Sequence, residues 1–120
     1  MRIGIDIMHI SRFTRISEHP RYRHVLFTER EAAAASTLRQ PRLAEFLAGR
    51  FCAKEAVAKL LGRGFGQGLT WHDIEITADA FGAPEVTLHR GAATLASEPI
   101  SLSLAHQGDL VVCVAMGKVR

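Results

Sequence analysis

The stretch from Leu43 to Leu61, LAEFLAGRFCAKEAVAKLL, constrains the fold more than any other part of the sequence. At about 100° per residue, Leu43, Phe46, Leu47, Val57, Ala58 and Leu61 form one apolar stripe of a helix. The opposite side is not polar either: Ala48, Cys52 and Ala56 lie there, with Ala53 and Leu60 close by. A helix that is apolar nearly all round is a buried helix, so the rest of the chain must wrap it. The same segment carries Glu45, Arg50, Lys54, Glu55 and Lys59. Charges on a buried helix are costly unless they are paired or bind an ion, so these five need partners, and a ligand is among the candidates. Glu55 and Lys59 stand four residues apart on one face, which an ordinary helix salt bridge would explain. Small apolar neighbours weigh against that reading, and so does the loop that follows. Gly62-Arg63-Gly64-Phe65-Gly66-Gln67-Gly68 has four glycines in seven residues and permits close backbone approach. Carboxylate, ammonium and glycine loop together resemble the parts that hold a metal–pyrophosphate group.

The other elements are short. Ile3, Ile5 and Ile7 alternate with Gly4 and Asp6, which reads as a strand with Asp6 on the face opposite the isoleucines. Ile10, Phe13 and Ile16 predict a helix from His9 to about Ile16, with Pro20 ending it. Thr28, with Glu31 three residues on, is a capping box that opens a helix running to about Leu38. Pro41 starts the long helix and Gly62 stops it. Ile74–Thr77 and Glu85–Leu88 flank the turn Gly82-Ala83-Pro84 and make a hairpin. Gly91 to Ala96 reads as a short helix, and Ile100–Ala105 and Leu110–Met116 as two final strands. With no repeat, low-complexity tract or linker, residues 1–120 are expected to form one α+β domain, a small antiparallel sheet packed with a long buried helix. A chain of 120 residues can bury such a core without disulfide or metal staples.

Composition narrows the setting. Hydrophobic residues make up 48% and charged residues 22%, an ordinary globular balance. No apolar run approaches the roughly 20 residues of a membrane span, so no membrane partner is expected. Met1-Arg2-Ile3-Gly4-Ile5-Asp6 lacks the apolar stretch and cleavage site of a signal peptide. Cys52 and Cys113 form no CxxC pattern and read as reduced, packed thiols of a cytoplasmic protein. A net charge of +3 and a pI of about 9.3 favour an anionic partner. Nucleic acid, acidic protein surface and phosphorylated cofactor all satisfy charge alone. A nucleic-acid-binding module lacks support beyond that charge, because aromatics are only 7% and no RNP-like motif occurs. The glycine loop has no GK[ST] and is not a P-loop. His9, His19, His24, His72 and His89 lack metal-ligand spacing and read as surface residues, and Trp71 as core or subunit interface.

Three motifs then fall into one order. Gly4-Ile5-Asp6-Ile7 is a GxD strand, Arg50-Phe51-Cys52-Ala53-Lys54-Glu55-Ala56-Val57-Ala58-Lys59 contains an F/W-x-x-KEA-x-x-K helix, and Leu102-Ser103-Leu104-Ala105-His106 has an SxxH strand end. Over essentially its whole length the sequence resembles the holo-acyl-carrier-protein synthase family of phosphopantetheinyl transferases. The resemblance implies the 4′-phosphopantetheinyl transferase fold and the transfer of 4′-phosphopantetheine from CoA to a serine of an apo acyl-carrier protein. It implies that Asp6 and Glu55 ligate Mg²⁺, with Lys59 beside the CoA phosphates and Glu55 and Lys59 as catalytic residues. Arg50 and His106 would contact the 3′-phosphate or adenine end of CoA, and Gly62 and Gly64 would lie along the cofactor. Arg12, with Arg21 and Arg23, would face the acidic carrier. Family members of this size are homotrimers with CoA sites between subunits, which would let a buried-looking helix carry charge. Two departures stand out: Ala83 replaces a usual lysine or arginine, and the last strand, QGDLVVCVAMG, is unusually apolar. Carriers of fatty-acid and of polyketide synthesis both satisfy this reading.

The residue types suit that chemistry. The carrier serine attacks the β-phosphate of CoA and 3′,5′-ADP leaves, so the burden is charge on phosphoryl oxygens. Two hard carboxylates suit Mg²⁺, which also takes waters and substrate phosphates. Lys59 is a compact cation for the leaving group. Glu55 and a water held by the metal are both candidates to take the serine proton. A trimeric interaction protein that has lost activity would not need Asp6, Glu55 and Lys59 intact.

Overall fold

The computed structural model describes every residue from Met1 to Arg120 apart from the side chain of residue 17. Along the chain run β1 (Arg2–His9), α1 (Ile10–Ser17), α2 (Pro20–Leu26), α3 (Glu29–Ala35), α4 (Arg42–Leu61), β2 (Ile74–Ala78), β3 (Pro84–Leu88), β4 (Ser101–Gln107) and β5 (Leu110–Gly117). Short 3-10 turns at Trp71–Asp73 and Arg90–Thr94 bracket the β2–β3 hairpin. This is the α+β architecture that the sequence predicts. One antiparallel sheet has the order β1-β5-β4, and β2 and β3 form a second.

α4 is the centre of the molecule, with twelve of its twenty residues buried. Its small residues face the three-stranded sheet. The Cys52 Sγ lies 3.4 Å from the Asp6 carbonyl, and the Cys113 Sγ 3.8 Å from that of Gly49. Gly4 completes the contact: a Cβ there would collide with the Ala56 carbonyl oxygen and stand 2.7 Å from the Leu60 nitrogen. Only a residue without a side chain lets β1 lie this close to the helix backbone.

The far side of α4 holds α3 and the hairpin through a buried charge. Lys54 is fully buried and pairs with Glu31 at 2.6 Å. Its ammonium also donates to the Leu26 carbonyl at 2.7 Å and the Trp71 carbonyl at 2.9 Å, which uses all three protons. Glu31 is the capping-box residue of α3, and its other oxygen accepts from the Ile76 amide at 2.8 Å. One ion pair thus ties α2, α3, α4 and β2 together. Burial lowers the Lys54 pKa, with the Glu31 charge pulling the other way.

Several boundaries differ from expectation. Pro20 does not end α1, which stops at Ser17; it occupies the first turn of α2, where a missing amide costs nothing. α3 ends at Ala35 rather than Leu38, and the segment after β3 is a 3-10 turn. His72 and His89 are not plain surface residues. The His72 ring lies 2.9 Å from the His24 carbonyl, and His89 Nε2 lies 3.2 Å from Glu75 Oε1. The apolar surface of α4 is covered within the chain. Uncovered apolar surface lies instead on the outer face of the sheet, where Ile3, Ile5 and Ile7 are 64%, 57% and 62% exposed.

Candidate active site

β1 and α4 bring the motif acids to one place. Asp6 shares the helix-facing side of β1 with Gly4, so the close approach at Gly4 carries the Asp6 carboxylate to α4. The Lys59 ammonium donates to Asp6 Oδ1 at 3.0 Å and to the Ile5 carbonyl at 2.9 Å. The simple Glu55–Lys59 helix pair is therefore not formed. Glu55 is half-buried and makes no hydrogen bond or ion pair among the described residues. Its pKa is raised by burial first and by the Asp6 charge second, with Lys59 opposing. Two carboxylates thus face one ammonium, with negative charge left over. No cluster of three or more His, Cys, Asp or Glu side chains able to hold a metal occurs among the described residues. Two hard carboxylates with surplus charge fit Mg²⁺, which completes its shell from water and substrate phosphate oxygens.

A second feature lies toward the other end of α4. Arg42, Glu45, Phe46, Gly49 and Arg50 follow the spacing of one helix face and line a cleft of about 230 Å³ with Leu104 and His106. Arg50 Nε is buried without a partner, and its guanidinium sits 4.2 Å above the Phe46 ring. Burial lowers the Arg50 pKa, opposed by the Glu31 charge. A buried guanidinium nitrogen with no partner, opening on a cleft, has a donor to offer an anionic group. His106 also lines a second cleft, of about 480 Å³, with Ile7, Gln107, Leu110 and Val112 on the outer face of the sheet. Sequence reasoning missed Arg42, although its place on the helix face of Arg50 was a readable signal.

Arg50 and Lys59 are nine residues apart, about 14 Å along the helix, with Glu55 between them. The candidate residues therefore form an elongated track rather than one pocket. Gly62 and Gly64 lie beyond its end. Gly62 adopts a φ of +73° as the C-cap of α4, and its amide donates to the Lys59 carbonyl. The Gly64 amide donates to Gln67 Oε1 at 3.0 Å. Both amides are thus taken by the helix stop and the turn, while the Arg2 guanidinium lies beside Gly62. Phe65 of this loop stacks on Trp71 at 3.7 Å, and Trp71 on Phe51 at 5.0 Å, one helical turn before Glu55.

Arg12 projects from α1, and Arg21 and Arg23 from α2; all three are exposed. The same two helices expose Ile16, Tyr22 and Val25.

A family model described as the 4′-phosphopantetheinyl transferase superfamily matches residues 2–115. The chain belongs to that superfamily. Among the relatives of this phosphopantetheinyl transferase, the holo-[acyl-carrier-protein] synthase of Geobacillus kaustophilus is 42% identical over 111 residues, covering 92% of this chain and 82% of that one. The holo-[acyl-carrier-protein] synthase of Moorella thermoacetica is 43% identical over 121 residues, covering 97% and 92%. In three dimensions the fold matches a holo-(acyl-carrier-protein) synthase from Bacillus anthracis, solved in complex with CoA (3′,5′-ADP). That match has a TM-score of 0.83 and 32% identity, and covers 95% of this chain and 92% of that one. The holo-[acyl-carrier-protein] synthase of Neisseria meningitidis gives a TM-score of 0.84 at 27% identity over 98% and 97% of the two chains.

Proposed function

We propose that residues 1–120 are a single transferase domain that moves 4′-phosphopantetheine from CoA to a serine of an acidic apo acyl-carrier protein, with Mg²⁺. The observation that carries this reading is the unpartnered, half-buried Glu55 beside the Asp6–Lys59 pair, in a chain closely related to holo-[acyl-carrier-protein] synthases.

The serine Oγ forms the new bond to the β-phosphorus, and the bond from that phosphorus to the bridging oxygen breaks. That oxygen keeps the electron pair and departs as 3′,5′-ADP. Asp6 and Glu55 would hold Mg²⁺, which supplies charge neutralisation and a template for the diphosphate. Lys59, with 54% of its side chain exposed, can turn its ammonium from Asp6 to the leaving phosphate oxygen. Glu55 and a water held by the metal are the two candidates to take the serine proton. Arg50, with its orphaned Nε, Arg42 and His106 would take the 3′-phosphate end of CoA. Arg12, Arg21 and Arg23, among exposed apolar residues of α1 and α2, would receive the acidic carrier. Gly62 and Gly64 would shape the end of the track rather than donate to phosphate, because their amides are taken.

The exposed isoleucines of β1 support a homotrimer, with His106 near the joint between copies. Free thiols at the buried Cys52 and Cys113 support a cytoplasmic setting. No helix is long and apolar enough to cross a membrane. The test is incubation with CoA, Mg²⁺ and acidic apo-carriers, followed by intact mass. A gain of one phosphopantetheine that chelation abolishes is expected; no gain on any carrier, or gain indifferent to chelation, sinks the reading.

A further inference from the structure

Asp109 sits in the two-residue turn between β4 and β5. Gly108 before it has a φ of +59°, a left-handed value that glycine adopts at little cost and that tight hairpins require. The turn aims Asp109 at the start of α1. Its carbonyl accepts from the Ile10 amide at 2.7 Å. Its Oδ1 accepts from the Ser11 amide at 2.8 Å, and its Oδ2 from the Ser11 hydroxyl at 2.5 Å. These are the first two amides of the helix, which no later residue of α1 can satisfy. His9 holds the N-cap position but makes no side-chain cap bond, and its Nδ1 lies 3.6 Å from Asp109 Oδ2. The helix is therefore capped from 98 positions away, across the sheet hairpin.

An exposed contact of this kind adds little to the core, because α1 is already anchored by the fully buried Phe13. What it adds is direction. β1 runs into α1 without an intervening residue, so the strand carrying Asp6 and the helix carrying Arg12 meet at one hinge between His9 and Ile10. The backbone bond to Ile10 fixes a single point there. The two carboxylate bonds to Ser11, the residue just before Arg12, fix rotation about that point. The same hairpin carries His106, three residues before Asp109, in the Arg50 cleft.

We propose that Asp109 is a positioning residue that sets the angle of α1 against the sheet, so that Arg12 meets the carrier with its serine turned toward the Asp6–Glu55 site. The inference rests on the reading of Arg12 as a carrier contact. The hydrogen bonds from Ser11 hold the Asp109 carboxyl below the usual range, so it is ionised and accepting at neutral pH.

Steady-state kinetics of the full chain with CoA, Mg²⁺ and an acidic apo-carrier, varying carrier and CoA separately, test it. Asp109→Ala, which removes both side-chain acceptors, is expected to raise the carrier KM about threefold to tenfold, the size of a lost cap, with CoA KM and kcat unchanged. Adding His9→Ser gives α1 an N-cap of its own. The double variant is expected to recover any lost melting temperature while the carrier KM stays high, because a local cap does not reach the hairpin. Arg12→Glu, run alongside, separates the two readings. If Arg12→Glu raises the carrier KM and Asp109→Ala does not, the positioning role alone is overturned. If Arg12→Glu leaves it unchanged, the docking reading falls and takes the positioning role with it. Recovery of the carrier KM in the double variant would reduce Asp109 to a helix cap and overturn the inference.

Discussion

Glu55 carries more negative charge than its neighbours balance. Burial and Asp6 both raise its pKa, and Lys59 is spent on Asp6. The sign of the pH dependence follows. A carboxyl whose folded pKa lies above its unfolded value contributes stability that is fully present below the ordinary glutamate value and lost as pH rises through the folded value. In metal-free protein, Glu55→Gln should therefore melt at or above wild type at neutral pH, with the gap closing as pH falls toward the ordinary value near 4.5. Mg²⁺ should raise the wild-type melting temperature and leave that of the variant unmoved, while transfer drops on the order of 100-fold. Thermal melts at three pH values, with and without Mg²⁺, check this; a variant that melts lower at neutral pH contradicts it. The sequence made Glu55 visible through its motif and its apolar neighbours. It did not reveal that Lys59 turns to Asp6, because a partner on another strand leaves no trace in helix spacing. Nor did it reveal that Lys54, inside the same motif, is a buried strut to Glu31.

At the scale of elements, the β1–α4 contact sets the site. Alternation in β1 showed which residues share a face but not which face is inside. The inner face is Gly4, Asp6 and Met8, because only there can the strand approach the helix backbone closely enough to deliver Asp6. Gly4→Ala should force β1 off α4, costing about 1–3 kcal/mol by analogy with overpacked cores. Because Asp6 moves with the strand, Mg²⁺ affinity should fall even in the folded fraction. Urea unfolding and Mg²⁺ titration of the same sample measure both; wild-type stability together with wild-type affinity would refute the contact as the cause. The long helix, the capping box and the hairpin were legible because each is a local pattern. The Pro20 boundary was not, since proline reads equally as a stop and as a first helical residue.

For the whole molecule, the outer face of the sheet is the unfinished part. Ile3, Ile5 and Ile7 on β1 stand beside half-buried Val112 and Val114 and exposed Leu110 and Met116 on β5. β-branched side chains in the middle of a sheet bury poorly against water, and contiguous apolar surface of this kind marks an interface. Ile7 also lines the outer cleft with His106, so a second copy on this face would complete the CoA end of the track. Ile5→Lys places a charge in the centre of the face. Since Ile5 is 57% exposed within the chain, the substitution should leave the monomer fold within about 0.5 kcal/mol of wild type. Buried against another copy, the same lysine would lose its water without gaining a partner. Sedimentation should therefore shift from the proposed trimer to monomer, with far-ultraviolet circular dichroism unchanged and transfer reduced about tenfold or more. An Ile5→Lys protein that sediments as wild type, or a monomer with full turnover, would show that the face is not where the copies meet or that each chain completes its site alone.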